Sequence, residues 1–78
     1  MSKVNVYLAD GFEEVEGLTV VDLLRRAGIE TDMVSIMGRK EITGARKIPV
    51  LADKLFEEQD DPDVIVLPGG MQIGRAHV

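Results

Sequence analysis

The run Val4-Asn5-Val6-Tyr7-Leu8-Ala9 constrains the fold of this chain more than any other stretch. It is rich in β-branched and aromatic residues, nearly continuously apolar, and stops at Asp10-Gly11. A strand with one face in water alternates apolar and polar positions, whereas a strand covered on both faces does not. The run therefore reads as a central parallel strand. The residues after it carry helical spacing to about Ala27, with Arg25 and Arg26 at the negative end of the dipole and Gly28 as the stop. Asp10 is placed to cap that helix, with Glu13 three residues on as in a capping box with Asp in place of Ser or Thr. Thr31-Asp32-Met33-Val34-Ser35-Ile36 is a second strand. Strand, helix, strand with short connections predicts a right-handed βαβ unit in an open parallel sheet.

Gly38 to Asp53 differs. Glu41-Ile42-Thr43 and Ile48-Pro49-Val50-Leu51 are short and β-leaning, and Pro49 does not suit a central strand, so a small hairpin or edge excursion is expected. Asp53 to Glu58 fits one or two helical turns, with Leu55 and Phe56 as apolar contacts. Gln59-Asp60-Asp61-Pro62-Asp63 reads as a solvated loop rather than a metal site. Val64-Ile65-Val66-Leu67 is a third buried strand, closed by Pro68-Gly69-Gly70. A doubly wound sheet continues with more strands and with helices on both faces. One long helix for three such strands reads as the first part of that fold.

The chain has 78 residues and a net charge of -5, with its nine basic residues scattered, which argues against nucleic acid and against an anionic membrane as partners. No apolar run approaches the roughly 18 residues of a membrane span. The N-terminus leads straight into a strand without the architecture of a signal peptide, so a cytoplasmic location is the expectation. With no cysteine there is no disulfide, no thiolate metal site and no thiol nucleophile. No metal and no cofactor are expected. His77, the lone histidine, reads as exposed and functionless, and Met33, Met37 and Met71 as core fillers.

Glu16 is the anomaly. Projected at about 100° per residue, it falls in the middle of a stripe made by Val20, Leu23, Leu24 and Ala27. A carboxylate there must be paired, hydrogen-bonded or protonated. It is either a site or a carboxylate held by an arginine, for example Arg46 of a neighbouring chain. Asp22, on another side of the helix, is expected in solvent or in a subunit contact. Gly69-Gly70, after a buried strand, present free N–H groups at the carboxyl edge where ligands of open α/β sheets bind, although Pro-Gly-Gly alone also marks an ordinary turn. Glu16 and Gly69-Gly70 are thus expected to lie near each other.

These residues carry a resemblance. Val6 to Glu16, then Val21-Asp22-Leu23-Leu24-Arg25-Arg26-Ala27-Gly28-Ile29, and finally Asp63-Val64-Ile65-Val66-Leu67-Pro68-Gly69-Gly70-Met71 resemble successive blocks of the DJ-one/ThiJ/PfpI superfamily. The resemblance covers about Lys3 to Met71. It implies a flavodoxin-like sheet of the class I glutamine amidotransferase-like type, of which the N-terminal part is present in residues 1–71. Residues 72–78 are expected to be foreign to the family, introduced by cloning or by a shifted reading frame. The members most similar to this pattern are glutathione-independent glyoxalases or protein and nucleotide deglycases acting on small aldehydes; others are cysteine peptidases, chaperones or oxidative-stress proteins. The resemblance places the active-site glutamate on Glu16, the oxyanion-hole glycines on Gly69 and Gly70, a partner-reaching arginine on Arg46 and a pocket-lining acid on Glu13. The cysteine thiolate of that mechanism has no counterpart here, so the chain is expected to be inactive and Glu16 to take a substitute partner, Arg46 of a second copy first. A homo-oligomer is expected; a non-catalytic self-associating module is the alternative.

Overall fold

The computed structural model describes residues 2–70. Strand β1 (Lys3–Leu8) pairs in parallel with β2 (Glu30–Ser35) along its whole length, from Lys3 opposite Glu30 to Leu8 opposite Ser35. Helix α1 (Glu14–Arg26) connects them. Then come an antiparallel hairpin of β3 (Glu41–Thr43) and β4 (Pro49–Leu51), a two-residue strand β5 (Lys54–Leu55), a 3-10 turn (Phe56–Glu58) and β6 (Val64–Val66). The main sheet has the order β5-β2-β1-β6 and every pairing in it is parallel. The α/β class, the βαβ unit and the hairpin around Pro49 are as the sequence predicts.

β1 is central and covered on both faces, as expected, but the two covers are chemically different. Val4, Val6 and Leu8 face one side and join Phe12, Val21 and Ile42 in the core, with Leu18, Leu24 and Met33 packed against them. Lys3, Asn5 and Tyr7 face the other side, where the 59–60 segment lies. Asn5 Nδ2 donates to Gln59 Oε1 at 2.9 Å and to the Asp60 carbonyl at 3.1 Å, and the Tyr7 hydroxyl donates to the same Gln59 oxygen at 2.9 Å. Lys3 Nζ meets Asp32 at 2.9 Å and Asp60 at 3.3 Å, while Lys54 reaches the same two carboxylates at 3.2 and 2.8 Å. A polar side chain is tolerated under a sheet when its donors are satisfied in this way. The Asp32 partner holds the Lys3 ammonium well above the usual lysine range, against the opposing effect of burial.

Three expectations are corrected. Asp10 does not cap α1: the cap position is Glu13, with no side-chain capping bond. The Asp10 carboxylate is instead engaged by the hairpin, accepting from the Thr43 N–H at 3.1 Å and pairing with Arg39. The segment from Asp53 is not one or two turns of helix from its start, because it first forms β5. Asp53 draws it there: its carboxylate accepts from the Met33 N–H at 2.7 Å, its own N–H donates to the Met33 carbonyl at 2.8 Å, and Arg25 clamps it at 2.7 Å. β6, expected to be buried, is an edge strand among the described residues, with Val64 and Ile65 half exposed.

The end of α1 follows the sequence. Gly28 has φ +79°, the Gly28 N–H donates to the Arg25 carbonyl at 3.0 Å and the Ile29 N–H to the Leu24 carbonyl at 3.0 Å. These two bonds are a Schellman stop, and the left-handed residue in it is the one that glycine adopts without strain.

Candidate functional site

The carboxyl ends of β1 and β6 bring together the start of α1, the hairpin and the Pro68-Gly69-Gly70 turn. The hairpin is stitched to the chain between β1 and α1 by the Gly11 N–H to the Thr43 carbonyl and the Ala45 N–H to the Phe12 carbonyl, both 2.8 Å. The Gly69 carbonyl accepts from the Glu13 N–H at 2.8 Å, and the Gly69 N–H donates to Glu16 Oε1 at 3.0 Å. Glu16 and Gly69 are 53 residues apart in the chain and in direct contact in the fold. Within the single chain the partner of Glu16 is the Gly69 backbone amide.

Gly70 is required where it stands, whereas at Gly69 a side chain would have to displace the Glu16 carboxylate. A Cβ on Gly69 would lie 2.6 Å from Glu16 Oε1. Gly70 has φ +84°, and a Cβ there would lie 2.8 Å from Glu13 Cγ and 3.0 Å from the Gly11 carbonyl oxygen. A side chain would strain the backbone and collide with the helix start. The Gly69 amide is occupied by Glu16 in this state.

Beside this junction lies an open cleft of about 490 Å³, lined by Asp10, Gly11, Glu13, Thr43, Gly44, Ala45, Lys47 and Gly70. Glu13 and Gly70 thus line it, whereas Glu16 and Arg46 are not among its lining residues. Asp10 and Lys47 complete its charged complement. The Thr43 N–H, aided by Arg39 and opposed by burial, keeps the Asp10 carboxyl below the usual range. Lys47 holds φ at +69°, a left-handed conformation that is uncommon for a residue with a side chain. Among the described residues, no group of three potential metal-ligating side chains comes together.

The placement of Glu16 on a core-facing stripe is overturned. The buried residues of α1 are Glu14, Gly17 and Val21, while Glu16, Leu23 and Ala27 are exposed. The helix is rotated from the hydrophobic projection because Gly17 is its contact point: a Cβ there would lie 2.9 Å from Phe12 Cδ2 and 3.3 Å from Pro68 Cγ. A glycine carries no hydropathy signal, so the stripe drawn through larger residues misses the face that packs closest.

The buried carboxylate is Glu14, 5% exposed, which the sequence reading passed over. Its Oε2 accepts from the Arg46 N–H at 2.8 Å and the Ile48 N–H at 3.3 Å. Burial pushes its carboxyl up, and the N–H groups of Glu14 itself, Arg46 and Ile48 outweigh that, so the net shift is downward. The signal available in the sequence was the spacing Glu14-Gly17-Val21, which puts the acid on the same face as the glycine. Asp22 is exposed and pairs with Arg26 one turn on, at 3.1 Å. Met71, His77 and the expected foreign segment 72–78 lie outside the described residues.

The sequence model of the DJ-1/PfpI family matches residues 2–77. The Drosophila melanogaster protein dj-1beta is 38% identical over 68 residues, which is 85% of this chain and 36% of the relative. A deglycase of Thermococcus kodakarensis is 37% identical over 70 residues, 87% of this chain and 42% of its own length. Among solved structures, a DJ-1 superfamily protein of Salmonella typhimurium, crystallised as a cysteine-to-alanine mutant, superposes with TM-score 0.85 at 39% identity, over 90% of this chain and 39% of that one. The chain thus spans about two fifths, or less, of the relatives it matches. Matched over nearly all its residues, in sequence and in the course of its parallel sheet, the chain belongs to the DJ-1/PfpI family.

Proposed function

We propose that this chain supplies the glutamate and backbone-amide half of a cysteine-dependent site of the glyoxalase or deglycase type, acting on small aldehydes, and that by itself it does not turn over. The observation that carries the reading is the 3.0 Å bond from the Gly69 N–H to Glu16 Oε1. It joins the residue matched to the family's proton-accepting glutamate to one of the two amides matched to its oxyanion hole. A thiol attacking an aldehyde carbon forms an S–C bond, gives up its proton and leaves negative charge on the former carbonyl oxygen. Glu16 accepts that proton in this scheme. Once neutral it is a weaker acceptor, and the Gly69 N–H is released to join Gly70 at the developing alkoxide. The deglycase name of the Thermococcus relative supports the deglycase reading. Glu13 and Arg46 belong to the proposal as substrate contacts, Glu13 from the cleft wall and Arg46 toward a second copy. A homo-oligomer in the cytoplasm completes it.

Incubation of the chain with methylglyoxal tests the reading: no lactate is expected, since the sequence holds no cysteine. Turnover that vanishes in Glu16→Gln would overturn the inactivity. The Gly69–Glu16 pairing has its own readout. In amide proton spectra, Glu16→Ala should move the Gly69 resonance upfield; an unmoved Gly69 signal would remove the basis of the proposed coupling.

A further inference from the structure

The turn from Gly44 to Ile48 contributes Gly44, Ala45 and Lys47 to the wall of the cleft, and it holds an uncommon conformation at Lys47, the cation among the lining residues. Lysine has a Cβ, and left-handed backbone costs such a residue free energy unless its surroundings impose it. Local bonds favour that hand but do not dock the turn. The Gly44 N–H donates to the Ile48 carbonyl at 3.0 Å and the Lys47 N–H to the Gly44 carbonyl at 3.0 Å, the pattern of a three-residue hairpin loop whose last residue is left-handed. The constraint on where the loop sits comes from α1. Glu14 Oε2 accepts from the Arg46 and Ile48 N–H groups, one on either side of Lys47 along the chain. One oxygen gripping both N–H groups ties the second half of the turn to the start of α1. Gly44 lies directly against the same carboxylate, with no room for a Cβ.

We infer that Glu14 is a positioning residue: its buried carboxylate holds the Gly44–Ile48 turn in the form that seats Lys47 on the wall of the cleft, across from Glu13 and Gly70. The acid acts through the turn and does not itself face the cleft, and its second oxygen, Oε1, is buried without a hydrogen-bond partner among the described residues. A buried oxygen without a partner costs free energy, and a site that served only packing would be better filled by an apolar side chain. The Arg46 guanidinium is the charged group from the turn whose field favours the ionised form. The inference concerns the wall of the cleft and does not depend on which substrate the cleft takes.

The test uses amide exchange and amide shifts of the chain. In Glu14→Ala, exchange at Arg46 and Ile48 should rise about tenfold or more, the scale of one lost hydrogen bond to a charged group. Glu14→Gln, which keeps one acceptor oxygen, should restore part of the protection. Amides of β1 and β2 should keep their protection in Glu14→Ala, which separates release of the turn from a global loss of stability. If the alanine variant does not fold, the unaltered chain suffices: on acidification the Arg46 and Ile48 amide shifts should titrate together, with one midpoint below the usual glutamate range. Independent titration of the two amides, or unchanged exchange at both in Glu14→Ala, would overturn the inference. Neither outcome bears on methylglyoxal turnover or on the Gly69 signal, so this inference and the proposed function stand or fall separately.

Discussion

At the scale of single residues, the positions that matter most are those where a side chain is absent. Gly17 decides how α1 sits, because Phe12 and Pro68 occupy the space its Cβ would take. Two effects oppose each other in Gly17→Ala. Helix propensity favours alanine by about 1 kcal/mol, while forcing a methyl group into a filled contact costs typically about 1–3 kcal/mol. Phe12 is fully buried and has nowhere to retreat, so the second effect wins. Urea denaturation should show a net loss of about 1 kcal/mol; a gain in stability would mean that the helix shifts to admit the methyl at no cost. The same reasoning separates Glu14 from Glu16. Two residues apart on a helix, they point in directions about 200° apart, and only the one on the Gly17 face is buried. Hydropathy cannot distinguish them, because both are glutamates at the same helix start. The contact that makes Glu16 interesting, with Gly69, arises from the turn after β6 and not from burial.

At the scale of elements, local chemistry and tertiary contacts divide the work. The Schellman stop at Gly28 and the hairpin around Pro49 are consequences of residue type and were legible in the chain. β5 was not, since it has only two residues and owes its place in the sheet to the bonds of Asp53 with Met33 and Arg25. Capping by Asp10 failed for a related reason: an aspartate can bond only what the fold brings to it, and the hairpin brings the Thr43 N–H and Arg39. The hairpin also offers a stability test. Lys47→Gly removes a left-handed penalty of about 1–2 kcal/mol and adds an unfolded-state entropy cost of about 0.5–1 kcal/mol. A net gain of about 0.5–1 kcal/mol is expected in chemical denaturation, and a loss would show that the lysine side chain contributes more than its backbone costs.

At the scale of the whole molecule, charge and exposed apolar surface set the behaviour. Asp10, Glu14, Asp32 and Asp60 all have carboxyls held below the usual range. For Asp32, burial pushes up and the ammonium groups of Lys3 and Lys54 outweigh it. A folded pKa below the unfolded value means a contribution that is complete above about pH 4–5 and lost as pH falls through the folded values. Lys3 and Lys54 are raised, so their contribution is complete below the unfolded value of about 10.4 and is lost only as pH rises through the folded ones. The thermal midpoint should therefore form a plateau between roughly pH 5 and pH 10 and fall on the acid side. Asp32→Asn should lower the plateau by about 1–2 kcal/mol and flatten the acid limb; an unaltered limb would show that the Lys3 network contributes nothing to it. Among the described residues β6 is the last strand on its side of the sheet, with Val64 50% and Ile65 49% exposed and Leu67, just after it, 65% exposed. A sheet edge carrying contiguous apolar side chains favours association. Sedimentation at rising concentration should show self-association, and Ile65→Lys should reduce it. A monomer at all concentrations would count against a self-associating surface there.

The sequence by itself determined the period-free apolar run of β1, the helix that follows and its stop, the Pro49 hairpin and the three blocks that place the chain in its family. Each of these is written in neighbouring residues through burial, backbone propensity or spacing. Only the tertiary structure decided which face of α1 packs, that Glu14 rather than Glu16 is buried, that β1 is apolar on one side and charged on the other, and that Glu16 meets the Gly69 amide. Those outcomes depend on contacts between residues some 30 to 60 positions apart, and on a glycine whose importance lies in the space it leaves. Local periodicity carries no record of either.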